Sequence, residues 1–189
     1  MNHSSTDPQQ HTNAQFESVI SACREIFVMK MKDYGTAWRI LRTPSLTDQI
    51  YIKAQRIRSI ETKGVSKVKE GIRPEFIGIV NYSVIALIQL EMGTETELSL
   101  PPETGERLYD KYIKAAMDLM QNKNHDYGEA WRNMRISSFT DIILMKLMRI
   151  KQIEDHQGKT FISEGVDANY YDIINYALFA LIMLDYEDR

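Results

Sequence analysis

Four cations at matching positions of a repeated segment are the side chains of this chain best suited to binding an anion. Lys53 and Arg56 lie in one copy, and Lys146 and Arg149 lie 93 residues further on. A spacing of three places both members of a pair on one face of a helix. Cations on a largely apolar helix need an acidic partner or an anionic ligand. Three interpretations stay open: phosphate binding, ion pairs, and long side chains that extend to water. The repeated carboxylates that would serve as partners are Asp33, Asp126, Glu61 and Glu154.

Two aromatic pairs precede these cations. Tyr34 and Trp38 lie in the first copy, and Tyr127 and Trp131 lie in the second. A flat ring beside a cationic helix could stack a nucleobase, because stacking tolerates any base. The alternative is that the rings fill the joint between two helices and send their polar tips to the surface. Both interpretations are compatible with the pattern.

One carboxylate, Asp172, interrupts an almost wholly apolar segment near the C-terminus. Asn175 and Tyr176 follow it, and Gly78 takes its place in the first copy. A buried carboxylate is costly unless it pairs with a cation or coordinates a metal. Asp172 is therefore a candidate either for an ion pair with Lys146 or Arg149 or for a metal site.

The elements that position these residues come from an internal duplication. Residues 33–61 and 126–154 align without a gap, and many of the identical residues are polar. In both copies the sequence Asp-Tyr-Gly follows an amphipathic segment, and glycine there suits the left-handed conformation that ends a helix. A repeat of this kind predicts two similar halves that pack into one body. We call residues at matching positions of the two copies twins.

Apolar residues recur every three or four positions over most of the chain, which is typical of helices. Nothing alternates with the period of a strand, so the predicted fold is all-α, with two tandem three-helix repeats packed as a pseudo-two-fold helical bundle. Ser45 with Asp48, and Ser138 with Asp141, are the predicted N-terminal caps of the middle helices. The predicted units are a disordered tail at 1–14, a first repeat at 15–93, a linker at 94–104 and a second repeat at 105–189. The predicted helices are 15–32, 46–63, 74–92, 106–122, 141–156 and 167–186.

Composition excludes several classes of protein. A net charge of −3 and a pI near 5.8 disfavour a surface for nucleic-acid backbone. Cys23 is the only cysteine and the N-terminus has no apolar signal region, so a cytoplasmic location is expected. The longest apolar run, near Tyr176 to Leu184, is too short to span a bilayer, and no membrane partner is expected. Whether the chain forms a homodimer is left open.

The pattern resembles a known family. A basic helix end, Asp-Tyr-Gly, an aromatic residue, a helix with Lys-x-x-Arg, and a helix with an acid four residues before Tyr176 are similar to nucleotide modification associated domain 1, formerly domain of unknown function 1599. The resemblance covers roughly 20–92 and 112–185. It implies an α-helical protein associated with nucleotide modification. The family itself is distantly similar to the all-α nucleoside triphosphate pyrophosphatases, the MazG-like proteins.

The distant relation implies a mechanism in which Mg²⁺ held by carboxylates bridges nucleotide phosphates. Here the second helix carries Lys-x-x-Arg where those enzymes carry two acids. The acids left for a hydrolytic site are Asp172, Glu154 and Asp167, of which Asp172 and Glu154 are the predicted metal ligands. The leading hypothesis is a nucleotide-binding protein in which the four cations meet phosphate, the repeated aromatics flank the base, and Asn175 and Tyr176 complete the site. The alternatives are a Mg²⁺-dependent nucleotide pyrophosphatase and a non-enzymatic structural or interaction protein with buried ion pairs.

Overall fold

The computed structural model describes residues 8–64, 71–94, 97–157, 159 and 165–186. In these residues the chain forms six α-helices and no strand, which confirms the all-α prediction. A short 3-10 helix follows the first and the fourth helix, at Ala37–Ile40 and Ala130–Asn133. The helices are α1 Pro8–Tyr34, α2 Thr43–Lys63, α3 Arg73–Met92, α4 Pro102–Tyr127, α5 Ile136–Asp155 and α6 Val166–Tyr186.

Several helices begin earlier than predicted, because proline opens them. Pro44, Pro74 and Pro102 each lie in the first turn of a helix, where the missing N–H costs no hydrogen bond. Helix α4 therefore starts inside the segment predicted as a linker. Helix α1 starts at Pro8, inside the predicted tail, and the rest of that tail lies outside the described residues. Most of the residues that connect the predicted helices at 64–73 and 157–165 also lie outside the described residues.

The predicted caps at the starts of α2 and α5 are wrong. The N-cap positions are Arg42 and Arg135, in extended backbone and without a capping side chain. Asp48 instead forms an ion pair with Lys151 across the molecule, at 2.7 Å. The helix stops are confirmed, since α1 and α4 end at Tyr34 and Tyr127 and the glycines that follow both have positive φ.

Helices α3 and α6 form the centre of the molecule, as their apolar sequences predict. They contact each other more extensively than any other pair, and each also contacts α1 and α4. Helix α2 packs on α3, α5 packs on α6, and α2 and α5 pack on each other. By length and hydropathy α3 could cross a membrane, yet most of it is buried inside the protein, as in a core helix.

Reciprocal contacts between α2 and α5 show the pseudo-two-fold relation of the repeats. The Thr47 hydroxyl donates to Glu154 at 2.8 Å, and its twin Thr140 donates to Glu61 at 2.9 Å. The pair of Lys151 with Asp48 has its counterpart in Arg58 and Asp141, at 3.8 Å. The repeated acids Asp48, Asp141, Glu61 and Glu154 therefore all lie in contacts between the two repeats.

The two glutamates of this interface predict an unusual dependence of stability on pH. Burial is the largest influence on both carboxyl groups and raises the pKa of Glu61 and Glu154 above the ordinary value of 4.5. A carboxyl whose pKa is higher in the folded state makes the protein less stable as the pH rises through and above that ordinary value. We expect the variant E61Q/E154Q to melt at a higher temperature than the wild type at pH 7, with a smaller gain near pH 4. Thermal unfolding followed by circular dichroism measures both.

The exposed Glu25 supplies the control for this experiment. The E25Q variant removes a surface charge and should leave the melting temperature within about 1 °C of the wild type. A pH-independent gain in E61Q/E154Q, or no gain, would show that burial does not raise the pKa of these two carboxyl groups.

A buried hydrogen bond joins α3 of the first repeat to α4 of the second. The Tyr109 hydroxyl donates to Asn81 Oδ1 at 2.7 Å, and Asn81 Nδ2 donates to the Cys23 carbonyl at 3.0 Å. At the twin positions on α6 and α1, Asn175 repeats the bond to a carbonyl, but the twin of Tyr109 is Phe16, and Asn175 Oδ1 has no donor among the described residues.

Loss of the Tyr109 hydroxyl should therefore leave a buried acceptor unsatisfied. We expect Y109F to lower the free energy of unfolding by about 1–2 kcal/mol, measured by urea denaturation. The exposed hydroxyl of Tyr186, which donates to Ser18, provides the comparison, and Y186F should have little effect. Equal effects of the two changes would contradict the assignment.

Candidate functional site

A groove of about 670 Å³ opens in the first repeat, between α1, α3 and the corner that joins α1 to α2. Part of the lining is aromatic and aliphatic and includes Tyr34 and Trp38 of the corner, with the exposed Ile26 and Ile40. The lining also carries charge, with Lys30, Lys53, Arg73 and Glu75. Gly78, Asn81 and Tyr82 of α3 contribute as well. The groove thus joins an apolar surface to a group of cations.

The corner is positioned by a buried arginine. Gly35 ends α1 at φ 59°, and its N–H donates to the Met31 carbonyl at 2.8 Å. Arg39 is fully buried and donates to the Gln89 side chain and, at 3.0 Å, to the Glu97 carbonyl. The Gln89 amide in turn donates to the carbonyls of Arg39 and Leu41. These bonds hold Trp38, the residue before Arg39, against the groove.

In the first repeat the cations of α2 have a carboxylate partner on α3. Lys53 Nζ lies 3.3 Å from Glu75, and Arg56 also donates to Glu75. Lys53 crosses α3 at Gly78, and its Cδ lies 2.8 Å from the position that a Cβ there would take. Its ammonium also lies 5.8 Å from the centre of the Tyr82 ring, within range of a cation–π contact. Lys53 is thus partly paired and still borders the groove.

In the second repeat Asp172 neutralises Lys146 and Lys123, which are the twins of Lys53 and Lys30. Lys146 Nζ lies 2.6 Å and Lys123 Nζ 2.7 Å from its carboxylate oxygens. Burial alone would raise the pKa of the Asp172 carboxyl, but the hydrogen bonds from Lys123 and Lys146 outweigh it and hold the pKa below its usual value. Lys146 and Asp172 are nearly buried, with side chains 12% and 10% exposed. This is a structural ion pair, one of the alternatives that the sequence left open.

Aromatic packing fills the rest of this region in the second repeat. Trp131 stacks on Phe179 with ring centres 4.5 Å apart, and Phe16 packs edge-on against both rings. Phe179 takes the place of Ile85, which lines the groove in the first repeat. Trp131 is consequently buried, whereas its twin Trp38 is partly exposed.

The predicted binding residues therefore separate by repeat. Tyr34, Trp38 and Lys53 lie together in the groove. Arg56 does not line the groove itself, but it forms an ion pair with Glu75, which does. The predicted residues of the second repeat are not part of the groove: Tyr127 and Arg149 are exposed, Trp131 and Asn175 are buried, Tyr176 packs on Phe139 and Phe179, and Lys146 is paired with Asp172.

The two predicted metal ligands contact different groups. Asp172 is held by two lysines, and Glu154 accepts from Thr47. Within the described part of the chain no three His, Cys, Asp or Glu side chains are grouped as metal ligands. The arrangement favours ion pairing for Asp172 and an interface role for Glu154.

Sequence reasoning missed Lys30, Arg73, Glu75 and Gly78 as parts of one site. Lys30 could have been found, because it is the twin of Lys123 just before the repeated Asp-Tyr-Gly. Glu75 and Arg73 have no acidic or basic twin, since Asn169 and Asp167 take their places. Their part in the site depends on how α2 and α3 pack.

The fold and this groove define an all-α tandem-repeat protein with a ligand-sized groove in its first repeat. The chain belongs to the family described as nucleotide modification associated domain 1, whose model matches residues 30–90 and again residues 123–184. The two matches correspond to the two repeats, and they begin at the twin residues Lys30 and Lys123. No curated protein and no solved structure matches the chain significantly. The family associates the chain with nucleotide modification.

Proposed function

We propose that this protein binds a nucleotide in the groove of its first repeat. The observation that carries the proposal is the combination of an aromatic corner with cations in one groove, at residues that the sequence pattern had linked to base stacking and phosphate. The family's association with nucleotide modification agrees with this assignment.

The size and the lining of the groove suit such a ligand. Its volume of about 670 Å³ falls within the 300–1,000 Å³ usual for small-molecule sites. Tyr34 is 72% exposed and Trp38 is partly exposed, so each offers ring surface that a base could cover. Stacking on such rings contributes about 1–3 kcal/mol per base.

The charges of the groove favour an anionic group on the ligand. Lys30 forms no ion pair with any residue that the structure describes, and Lys53 shares Glu75 with Arg56. Arg73 is held by Asp185 through two hydrogen bonds of 2.7 and 2.8 Å. Lys30 and Lys53 are thus the donors best placed to meet phosphate, since Arg73 already has a carboxylate partner.

Nothing in the described residues favours the pyrophosphatase hypothesis over simple binding. A mechanism with Mg²⁺ needs carboxylates beside the substrate phosphates. Glu75 is the carboxylate that lines the groove, and two cations already bind it. Binding is therefore the function that the geometry supports best.

Isothermal titration calorimetry with ribo- and deoxyribonucleoside mono- and triphosphates, with and without Mg²⁺, tests the proposal. We expect heat from at least one nucleotide at micromolar to millimolar concentration, with no pyrophosphate released. Absence of heat from every nucleotide at millimolar concentration would overturn the proposal. Release of pyrophosphate from a triphosphate would show that the pyrophosphatase alternative is correct.

A further inference from the structure

The two repeats differ most clearly at one position of their central helices. Asp172 of α6 lies between Lys123 and Lys146, at 2.7 and 2.6 Å. In the first repeat the twin lysines are Lys30 and Lys53, and the twin of Asp172 is Gly78. The first repeat thus keeps both cations and lacks the anion between them.

Glu75 does not replace that anion. It lies one helical turn before Gly78 and pairs with Lys53 and Arg56, while Lys30 stays without a carboxylate among the described residues. Lys53, Lys30 and Gly78 line the same groove. Because Gly78 has no side chain, the end of Lys53 lies over it, with Nζ 3.1 Å from the position that a Cβ would take.

The aromatic part of the site is also covered in the second repeat and partly exposed in the first. Phe179 covers Trp131 in the second repeat, whereas the smaller Ile85 leaves Trp38 partly exposed in the first. Asp172 and Phe179 therefore fill the charged and the apolar parts of the site in the second repeat, whereas Lys30 and Trp38 keep accessible surface in the first.

We propose that the phosphate of the ligand binds between the ammonium groups of Lys30 and Lys53, beside Gly78, and that Asp172 plays the equivalent part in the second repeat as an internal substitute for that phosphate. Each chain then binds one nucleotide, in the first repeat, and the second repeat is a closed copy of the site. This inference rests on the proposed nucleotide-binding function and adds the position of the phosphate and the stoichiometry.

Exchange of residues between the twin positions tests the inference. In G78D the new carboxylate should displace the flexible end of Lys53 slightly and pair with Lys30 and Lys53, as Asp172 does with their twins. G78N has nearly the same shape without the charge. With inorganic phosphate as the probe, amide chemical shifts in ¹⁵N spectra of the wild type should respond around residue 78 and not around residue 172. We expect G78D to weaken this response about tenfold or more, and G78N to weaken it less.

The reciprocal variant D172N should make the amides around residue 172 sensitive to phosphate, because it removes the internal anion. If D172N fails to fold, G78D and G78N still decide the question. Equal phosphate binding by G78D and the wild type, or equal losses in G78D and G78N, would overturn the inference.

Calorimetry of the same variants separates this inference from the proposed function. A nucleotide that binds wild type and G78D equally would overturn the phosphate position alone. Two nucleotides bound per wild-type chain would overturn the closed second repeat. Phosphate binding at residue 78 with no nucleotide binding would overturn the nucleotide-binding function and leave an anion site.

Discussion

Replacement of Lys53 by Met is expected to weaken nucleotide binding about tenfold or more, whereas the same replacement of its twin Lys146 should leave the affinity unchanged. Lys53 borders the groove, and a hydrogen bond from a charged donor contributes about 1.5–3 kcal/mol. Lys146 is bound to Asp172 in the closed repeat. Calorimetric titration of each variant with one nucleotide that binds the wild type measures both affinities.

The order of the two variants should be reversed for stability, with K146M losing more than K53M. K146M leaves the nearly buried Asp172 with a single partner, Lys123, and should lower the free energy of unfolding. K53M leaves Glu75 paired with Arg56, which is partly exposed, and should cost less. A loss of affinity in K146M that equals the loss in K53M would contradict the assignment of the ligand to the first repeat.

Removal of the Asp172 charge is expected to cause the largest loss of stability among the single changes considered. In D172N the nearly buried ammonium of Lys146 loses its counter-charge. Breaking a buried pair costs about 3–5 kcal/mol, and the exposure of Lys123 to solvent should place the value near the lower end. Urea denaturation at pH 7 measures the effect.

The pH dependence identifies the charge as the cause. Because the folded-state pKa of Asp172 is depressed, the pair stabilises the protein above the ordinary carboxyl pKa of 3.8 and is lost as the pH falls through the folded-state value. The difference between wild type and D172N should therefore shrink below about pH 4. The double variant K146M/D172L should recover most of the loss, since apolar residues can replace a buried pair. A deficit that is independent of pH and is not recovered would show that shape, and not charge, is responsible.

Much of the fold could be predicted, because a short stretch of sequence is enough to show the apolar period of a helix and the glycine that ends it. The two central helices and the ends of α1 and α4 followed from such patterns. Helix starts are harder to predict: Pro44 lies just before the predicted helix 46–63 and Pro102 lies in the predicted linker, yet both prolines are in the first turn of a helix. The cap role of Asp48 failed because its partner, Lys151, belongs to the other repeat.

The site could be predicted only in part, because differences between the repeats decide which of the two carries the groove. The pattern identified Tyr34, Trp38 and Lys53, but it treated their twins as equivalent. Which repeat is open is decided by side-chain volume at Ile85 and Phe179 and by charge at Gly78 and Asp172. Sequence showed the change from Gly78 to Asp172, but only packing shows that the glycine marks the open copy.

The two tryptophans of the chain, one in each repeat, allow the most direct test of the central claim. In W131F the only indole is Trp38, at the groove, and in W38F it is the buried Trp131. Both variants are first shown to fold by circular dichroism and are then titrated with nucleotide while the indole fluorescence is recorded. We expect a saturable change of fluorescence in W131F and none in W38F. A saturable change confined to W38F, or no change in W131F at millimolar nucleotide, would contradict binding in the first repeat.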